Sequence, residues 1–196
     1  MLFAQVAALF LKNQKQLVTR ISKNILLISG SGRNVGKTTF MRRLIAQNAS
    51  QQPVAVKITP HFHEPTEGLI PIQVTENFRV FRETDTTSAK DSSLFLQAGA
   101  ERVFYIQTTD EFLGEAFEIV SSQLSPGHPV VVESAALRKF ILPGLYIFIE
   151  KPSGEMKASA REMQKLADET IFSDGEQFSI SPENVTFNQS WKIQNA

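Results

Sequence analysis

Residues 25–39 read ILLISGSGRNVGKTT, an apolar run that breaks into glycines and ends in Gly-Lys-Thr-Thr. The run at 25–29 is apolar on both faces, as in a strand at the centre of a parallel sheet. Residues 37–48 (KTTFMRRLIAQN) then set Phe40, Leu44 and Ile45 on one side at helical spacing. A strand that feeds a glycine-rich turn into a helix N-terminus makes an anion site, because unpaired amides and the helix dipole converge there. Phosphate binding by such a turn needs two further parts, a lysine that reaches the β and γ oxygens and a hydroxyl for magnesium. Lys37 and Thr38 stand where those parts are required.

The strict phosphate-loop (Walker A) pattern places a glycine five positions before Gly36, and that position is Ser31. Gly30 lies six positions before and Gly32 four, so the turn is one residue longer than the strict form. The expected nucleotide contacts are Gly30, Ser31, Gly32, Arg33, Asn34, Val35, Gly36, Lys37, Thr38 and Thr39. Arg33 and Asn34 occupy the crest, where a side chain either meets phosphate or a partner subunit, or is simply solvated.

At 196 residues the chain suffices to bury a substantial core, and one domain over 1–196 is expected. Hydrophobic residues at 42% and charged residues at 20% argue against disorder and membrane insertion. Twenty basic and twenty acidic side chains cancel, so no general field draws nucleic acid or an anionic membrane, and neither partner is expected. The absence of cysteine excludes a disulfide framework, a thiolate zinc site and a cysteine nucleophile, and fits a cytoplasmic setting. The opening MLFAQVAALFL lacks the basic flank and cleavage site of an export signal and is too short to span a bilayer. Leu2, Val6, Leu9 and Phe10 fall at helical spacing, which predicts a docked amphipathic helix towards Leu17.

Further along, strands are expected at 53–58, 102–107, 129–134, 145–151 and 169–173, with helices over 90–100, 109–123 and 155–167. Alternation between Leu69 and Thr84 predicts a β-hairpin closed near Glu76-Asn77, and the tail predicts a small β element or irregular closure. Strands alternating with helices imply an α/β fold, three layers around a mainly parallel sheet with a β-hairpin insertion.

Three more segments carry candidate chemistry. Lys57 lies in the apolar strand VAVKI, where an ammonium is costly to bury unless it finds an anion. Sheets of this class bind ligands at the carboxyl ends of their strands, where Lys57 falls. His61 and His63 follow in a loop, read either as ligands for a metal or an oxyanion or as ordinary polar loop residues. Asp91 in KDSSLFLQAGA either caps a helix or enters a magnesium shell. Glu133 ends the strand PVVVE, the place for a carboxylate that holds magnesium or polarises water, although a strand-end acid can also be merely solvated.

With the phosphate loop, these segments resemble the molybdopterin-guanine dinucleotide biosynthesis protein B family, a branch of the P-loop nucleoside triphosphatases. VAVKITPHFH is similar to that family's second strand and its Lys-His-rich loop. KDSSLFLQAGA is similar to its Gly-Lys-Asp-Ser/Thr helix, with Ala89 in place of the glycine, and VVVES to its strand ending in Glu-Gly, with Ser134 in place of the glycine. The similarity covers roughly 25–150. The longer loop register resembles dethiobiotin synthetase, and Glu150-Lys151-Pro152 does not match a guanine-reading Asn-Lys-x-Asp motif.

The resemblance implies a nucleotide-binding protein that takes GTP or ATP with Mg2+, hydrolyses it weakly, works as a homodimer and assists molybdenum cofactor biosynthesis. Lys37, Asp91 and Glu133 would be its catalytic residues and Thr38, Asp91 and Glu133 its metal ligands, with Lys57 also at the nucleotide. One alternative is an ATP-dependent ligase or kinase acting on a small acidic substrate. Another is a non-catalytic switch that engages a cofactor-synthesis partner protein.

Overall fold

The computed structural model describes residues 21–153 and 155–194. The expected N-terminal helix lies outside them. The described chain is α/β, with four α-helices and a mainly parallel central sheet of eight strands.

The first strand, β1 (Ile21–Gly30), runs into α1 (Lys37–Gln47) and then β2 (Val54–Thr59). An antiparallel pair, β3 (Leu69–Val74) and β4 (Phe78–Glu83), precedes α2 (Asp91–Gln97) and β5 (Arg102–Thr108). Next come α3 (Leu113–Ser121), β6 (Val130–Glu133) and β7 (Leu142–Glu150). The chain continues through α4 (Ala158–Gln164) and β8 (Glu169–Phe172). It closes with a separate antiparallel pair, β9 (Val185–Asn188) and β10 (Ser190–Ile193).

The strand order is β3-β4-β5-β2-β6-β1-β7-β8. β4 alone runs against the others, pairing antiparallel with both β3 and β5. β6 sits between β1 and β2, which its four fully buried residues anticipate. This insertion brings the carboxyl ends of β1, β2 and β6 side by side, and the site follows from it.

Alternation along the strands sends side chains to two separate cores. Ile25 and Leu27 of β1 pack in the cluster that holds Leu113, Ala116, Phe117 and Val120 of α3 and Met163 of α4. Leu26 and Ile28 pack in the opposite cluster with Phe40, Met41, Leu44 and Ile45 of α1, Phe95 of α2, and Val185 and Trp191 of the terminal pair. Helices therefore cover both faces. Each fully buried large side chain contributes roughly 1.5–3 kcal/mol through loss of its contact with water.

Several boundaries differ from the sequence expectation. β1 starts four residues before Ile25, because Ile21 and Ser22 find register partners in Leu142 and Pro143 of β7. The helix expected over 109–123 divides into a short 3-10 turn at Asp110–Phe112 and α3. The one expected over 155–167 shortens to α4, and the chain before Gly99, whose φ is 100°, leaves α2 at Gln97.

The terminal pair is tied to α1 by side chains that no local pattern reveals. Asn48, which is buried, donates from Nδ2 to Leu44 O and Val185 O at 2.9 Å each and accepts at Oδ1 from Phe187 N at 3.2 Å. Arg43 grips Glu183 through Nε and a terminal nitrogen at 2.8 Å each. Trp191 donates to Asn24 O at 2.9 Å and packs on Phe187. Asn48→Ala strands buried backbone partners, so urea unfolding should show a loss of about 2–3 kcal/mol; a variant as stable as the parent would contradict this role.

Candidate functional site

Residues 31–36 join β1 to α1, and the shape of this turn is set by its neighbours. Ser31 N donates to Ile149 O at 2.9 Å, and Lys151 N donates to Ser31 Oγ at 3.1 Å. A Cβ on Gly30 would lie 2.6 Å from Ile149 O and 2.9 Å from a Val35 methyl, so β7 itself demands glycine there. Gly36 has φ of 90° and would press a Cβ to 2.9 Å from Gly175 O. Asn34 also adopts the left-handed region, at φ 56°, which asparagine tolerates better than most residues. Val35 is buried and pins the turn to the core, leaving Arg33 and Asn34 exposed on the crest. Above Gly32 nothing lies within 4 Å of a Cβ, so the space over the crest is open.

Lys37 opens α1 and bends back over the turn, its Nζ donating to Gly32 O at 2.5 Å. Burial pushes this ammonium below its ordinary pKa; Glu133 and Asp91 pull it back up, and Lys57 adds to the push. The turn, Lys37, Thr38 and Thr39 line a cleft of about 1180 Å³ at the carboxyl ends of the strands.

Across the cleft lies a cluster fixed by strand register. Lys57 of β2 and Glu133 of β6 are direct partners on neighbouring strands. Lys57 Nζ lies 2.6 Å from Glu133 Oε1 and 2.8 Å from Asp91 Oδ2. Thr38 Oγ1 donates to Asp91 Oδ1 at 3.0 Å, which links α1 to α2. Asp91 is thus turned into the cleft, and the N-terminus of α2 carries no side-chain capping bond. Glu133 is 5% exposed, and its second oxygen, Oε2, is buried without a hydrogen-bond partner.

The electrostatics follow from these distances. Burial works against the charged forms of both Lys57 and Asp91, yet each ends up more strongly charged than usual. Glu133 and Asp91 lift Lys57, while Lys57 and Thr38 hold Asp91 below its ordinary value.

The donor set suits magnesium. Asp91, Glu133 and the Thr38 hydroxyl offer hard oxygens, and Glu133 Oε2 is buried with no hydrogen-bond partner of its own. No group of three or more His, Cys, Asp or Glu side chains that could hold a metal occurs among the described residues.

The structure separates the two histidines. His61 lines the cleft, while His63 is exposed outside its lining, their rings 6.2 Å apart. Sequence reading missed the far side of the cleft, where Lys139 Nζ donates to Asp110 Oδ2 at 2.6 Å. Both follow the carboxyl ends of parallel strands, β6 and β5, and that position was the available signal. Gly175, after β8, also reaches the cleft.

No family model, no curated protein and no solved structure matches the chain.

Asp91 titrates below its ordinary 3.8 in the folded chain, so its contribution to stability is full above that pH and is lost as pH falls through the folded value. Thermal unfolding followed from pH 6 down to about pH 2 should show a steeper acid loss for the parent than for Asp91→Asn. Parallel acid limbs would show that the Lys57–Asp91 pair adds nothing to stability.

Proposed function

We propose that the cleft binds a nucleoside triphosphate, GTP or ATP, with magnesium and hydrolyses it slowly. One observation carries this reading: the glycine turn with Lys37 faces the Thr38–Asp91–Lys57–Glu133 cluster across a single cleft. The fold is then that of a P-loop nucleoside triphosphatase, with β3 and β4 as the hairpin insertion. The resemblance over 25–150 extends the proposal to a homodimer that assists molybdopterin guanine dinucleotide synthesis.

In this reading the free amides of the turn and the N-terminus of α1 receive the β and γ phosphates. Lys37 leaves the Gly32 carbonyl and follows the charge that builds on the transferred phosphoryl group. Thr38, Asp91 and Glu133 would hold magnesium, which would supply neutralisation of the phosphate oxygens. Glu133 would orient the attacking water, whose oxygen bonds to the γ phosphorus as the bond to the β–γ bridging oxygen breaks. Nucleoside diphosphate and phosphate are released, with the water's proton passing to the phosphate or to solvent.

A second reading rests on Lys57, His61 and the Lys139–Asp110 pair, which share the same cleft. They leave polar room beside the turn for a small acidic acceptor, as in an ATP-dependent ligase or kinase. Phosphoryl transfer to a small carboxylate, followed by phosphorus NMR, would favour it; hydrolysis alone supports the first reading.

Calorimetric titration with ATP and GTP in magnesium should show binding that Lys37→Ala weakens by roughly a hundredfold or more. Unchanged affinity would falsify the phosphate-loop reading. Gly32→Ala sharpens the test, since its methyl meets no protein atom. It should leave stability within about 0.5 kcal/mol yet weaken triphosphate binding roughly tenfold by filling the space over the crest.

A further inference from the structure

The potential metal ligands of the cleft already surround a cation, and that cation is part of the chain. Lys57 Nζ bridges Glu133 Oε1 at 2.6 Å and Asp91 Oδ2 at 2.8 Å, while the other Asp91 oxygen holds Thr38. The bridge is built into the backbone, because Lys57 and Glu133 are register partners in adjacent parallel strands. It is also incomplete. Glu133 Oε2 has no partner although the residue is 5% exposed, and a carboxylate so buried is costly with an oxygen unmet. One ammonium fits between the two acids but does not satisfy them both fully.

Resting on the reading of the cleft as a magnesium–triphosphate site, we propose that Lys57 is an exchangeable internal counter-ion. It occupies the metal's place between Asp91 and Glu133 and yields it only when metal and polyphosphate arrive together.

The charge count gives the reason. One ammonium between two carboxylates leaves the cluster with a single net negative charge. A divalent ion added while Lys57 stays would make the cluster net positive, beside the ammonium of Lys37 at the same cleft. Cations crowded at such distances in a partly dry cleft repel strongly. A polyphosphate removes the conflict, since its oxygens neutralise the metal and give the displaced ammonium a new partner. The four-carbon stem of lysine lets the charge swing while β2 stays in the sheet. The carboxylates meanwhile never face each other without a cation between them, so their geometry is preserved for the metal. Metal alone is refused, and metal with polyphosphate is accepted.

Manganese is a paramagnetic probe of the magnesium place, and inorganic tripolyphosphate is a ligand without a base. Equilibrium dialysis, with total Mn2+ on the protein side compared with the protein-free side, then measures metal uptake by the folded chain, because the tripolyphosphate complex passes the membrane. The parent should take up Mn2+ weakly alone and stoichiometrically with tripolyphosphate. Lys57→Met keeps the stem and removes the charge, so it should bind Mn2+ alone roughly tenfold or more tightly than the parent. Lys57→Arg keeps the charge and should remain as refractory as the parent. A Lys57→Met protein with no gain in Mn2+ affinity overturns the exchange. So does a parent that binds Mn2+ equally tightly with and without tripolyphosphate, and that comparison decides the matter even if Lys57→Met does not fold. Failure of the underlying reading looks different: the parent would show no heat of tripolyphosphate binding without metal, while the Mn2+ comparison between the parent and Lys57→Met still stands.

Discussion

The site depends on a charge pair between neighbouring strands. β6 threads between β1 and β2 and ends on Glu133, opposite Lys57. A buried carboxylate or a buried ammonium alone would be strongly unfavourable at the end of a closely packed sheet; paired by register, each makes the other tolerable. The pair in turn fixes its surroundings. Asp91 reaches Lys57 from α2, Thr38 reaches Asp91 from α1, and the first turns of two helices are held to the same point of the sheet. Such a cluster is weak as a source of stability, since its Coulomb gain is largely offset by desolvation. Its effect is to place carboxylate oxygens and an ammonium together at the cleft.

The glycine turn obeys a different constraint, steric rather than electrostatic. Gly30 is required by the carbonyl of Ile149, and Gly36 by its positive φ and by the chain around Gly175, whereas a Cβ on Gly32 would meet nothing within 4 Å. Two glycines are thus accounted for by the protein's own packing and one is not. A residue without a side chain where the protein needs none makes sense if the room is kept for something that arrives from outside. The turn also packs against the loop after β8: Phe178 lies edge-on against Phe40, and Ser173 and Gly175 lie beside Gly36. The loop after β8 therefore sets the height of the turn.

Much of this was legible in the amino-acid sequence, for physical reasons that differ by element. The uninterrupted apolar runs of β1 and β6 mark strands with both faces buried, and the spacing of Phe40, Leu44 and Ile45 marks the face of α1 that meets the sheet. Alternation around Glu76-Asn77 located the antiparallel pair β3–β4. Lys57 and Glu133 stood out as charges in apolar strands, and Asp91 as an acid at a helix start. The resemblance gathered them at one nucleotide site, but their direct pairing through Lys57 needs the strand order: β2, α2 and β6 are distant in the chain and become neighbours only when β6 inserts. The Lys139–Asp110 pair was hidden for the same reason. The early start of β1 depends on partners in β7 more than a hundred residues away, and α4 is shorter than expected although Met156 and Ala167 outside it still pack on the core.

Trp191 is the chain's single tryptophan, held 2% exposed between Phe187 and the strand that leads into the glycine turn. Its indole N–H is anchored on Asn24, six residues upstream of Gly30. Tryptophan fluorescence from this protein therefore originates at one address. A red shift in emission would report departure of the C-terminal β-ribbon from β1, giving an optical signal of that local event with no dye attached.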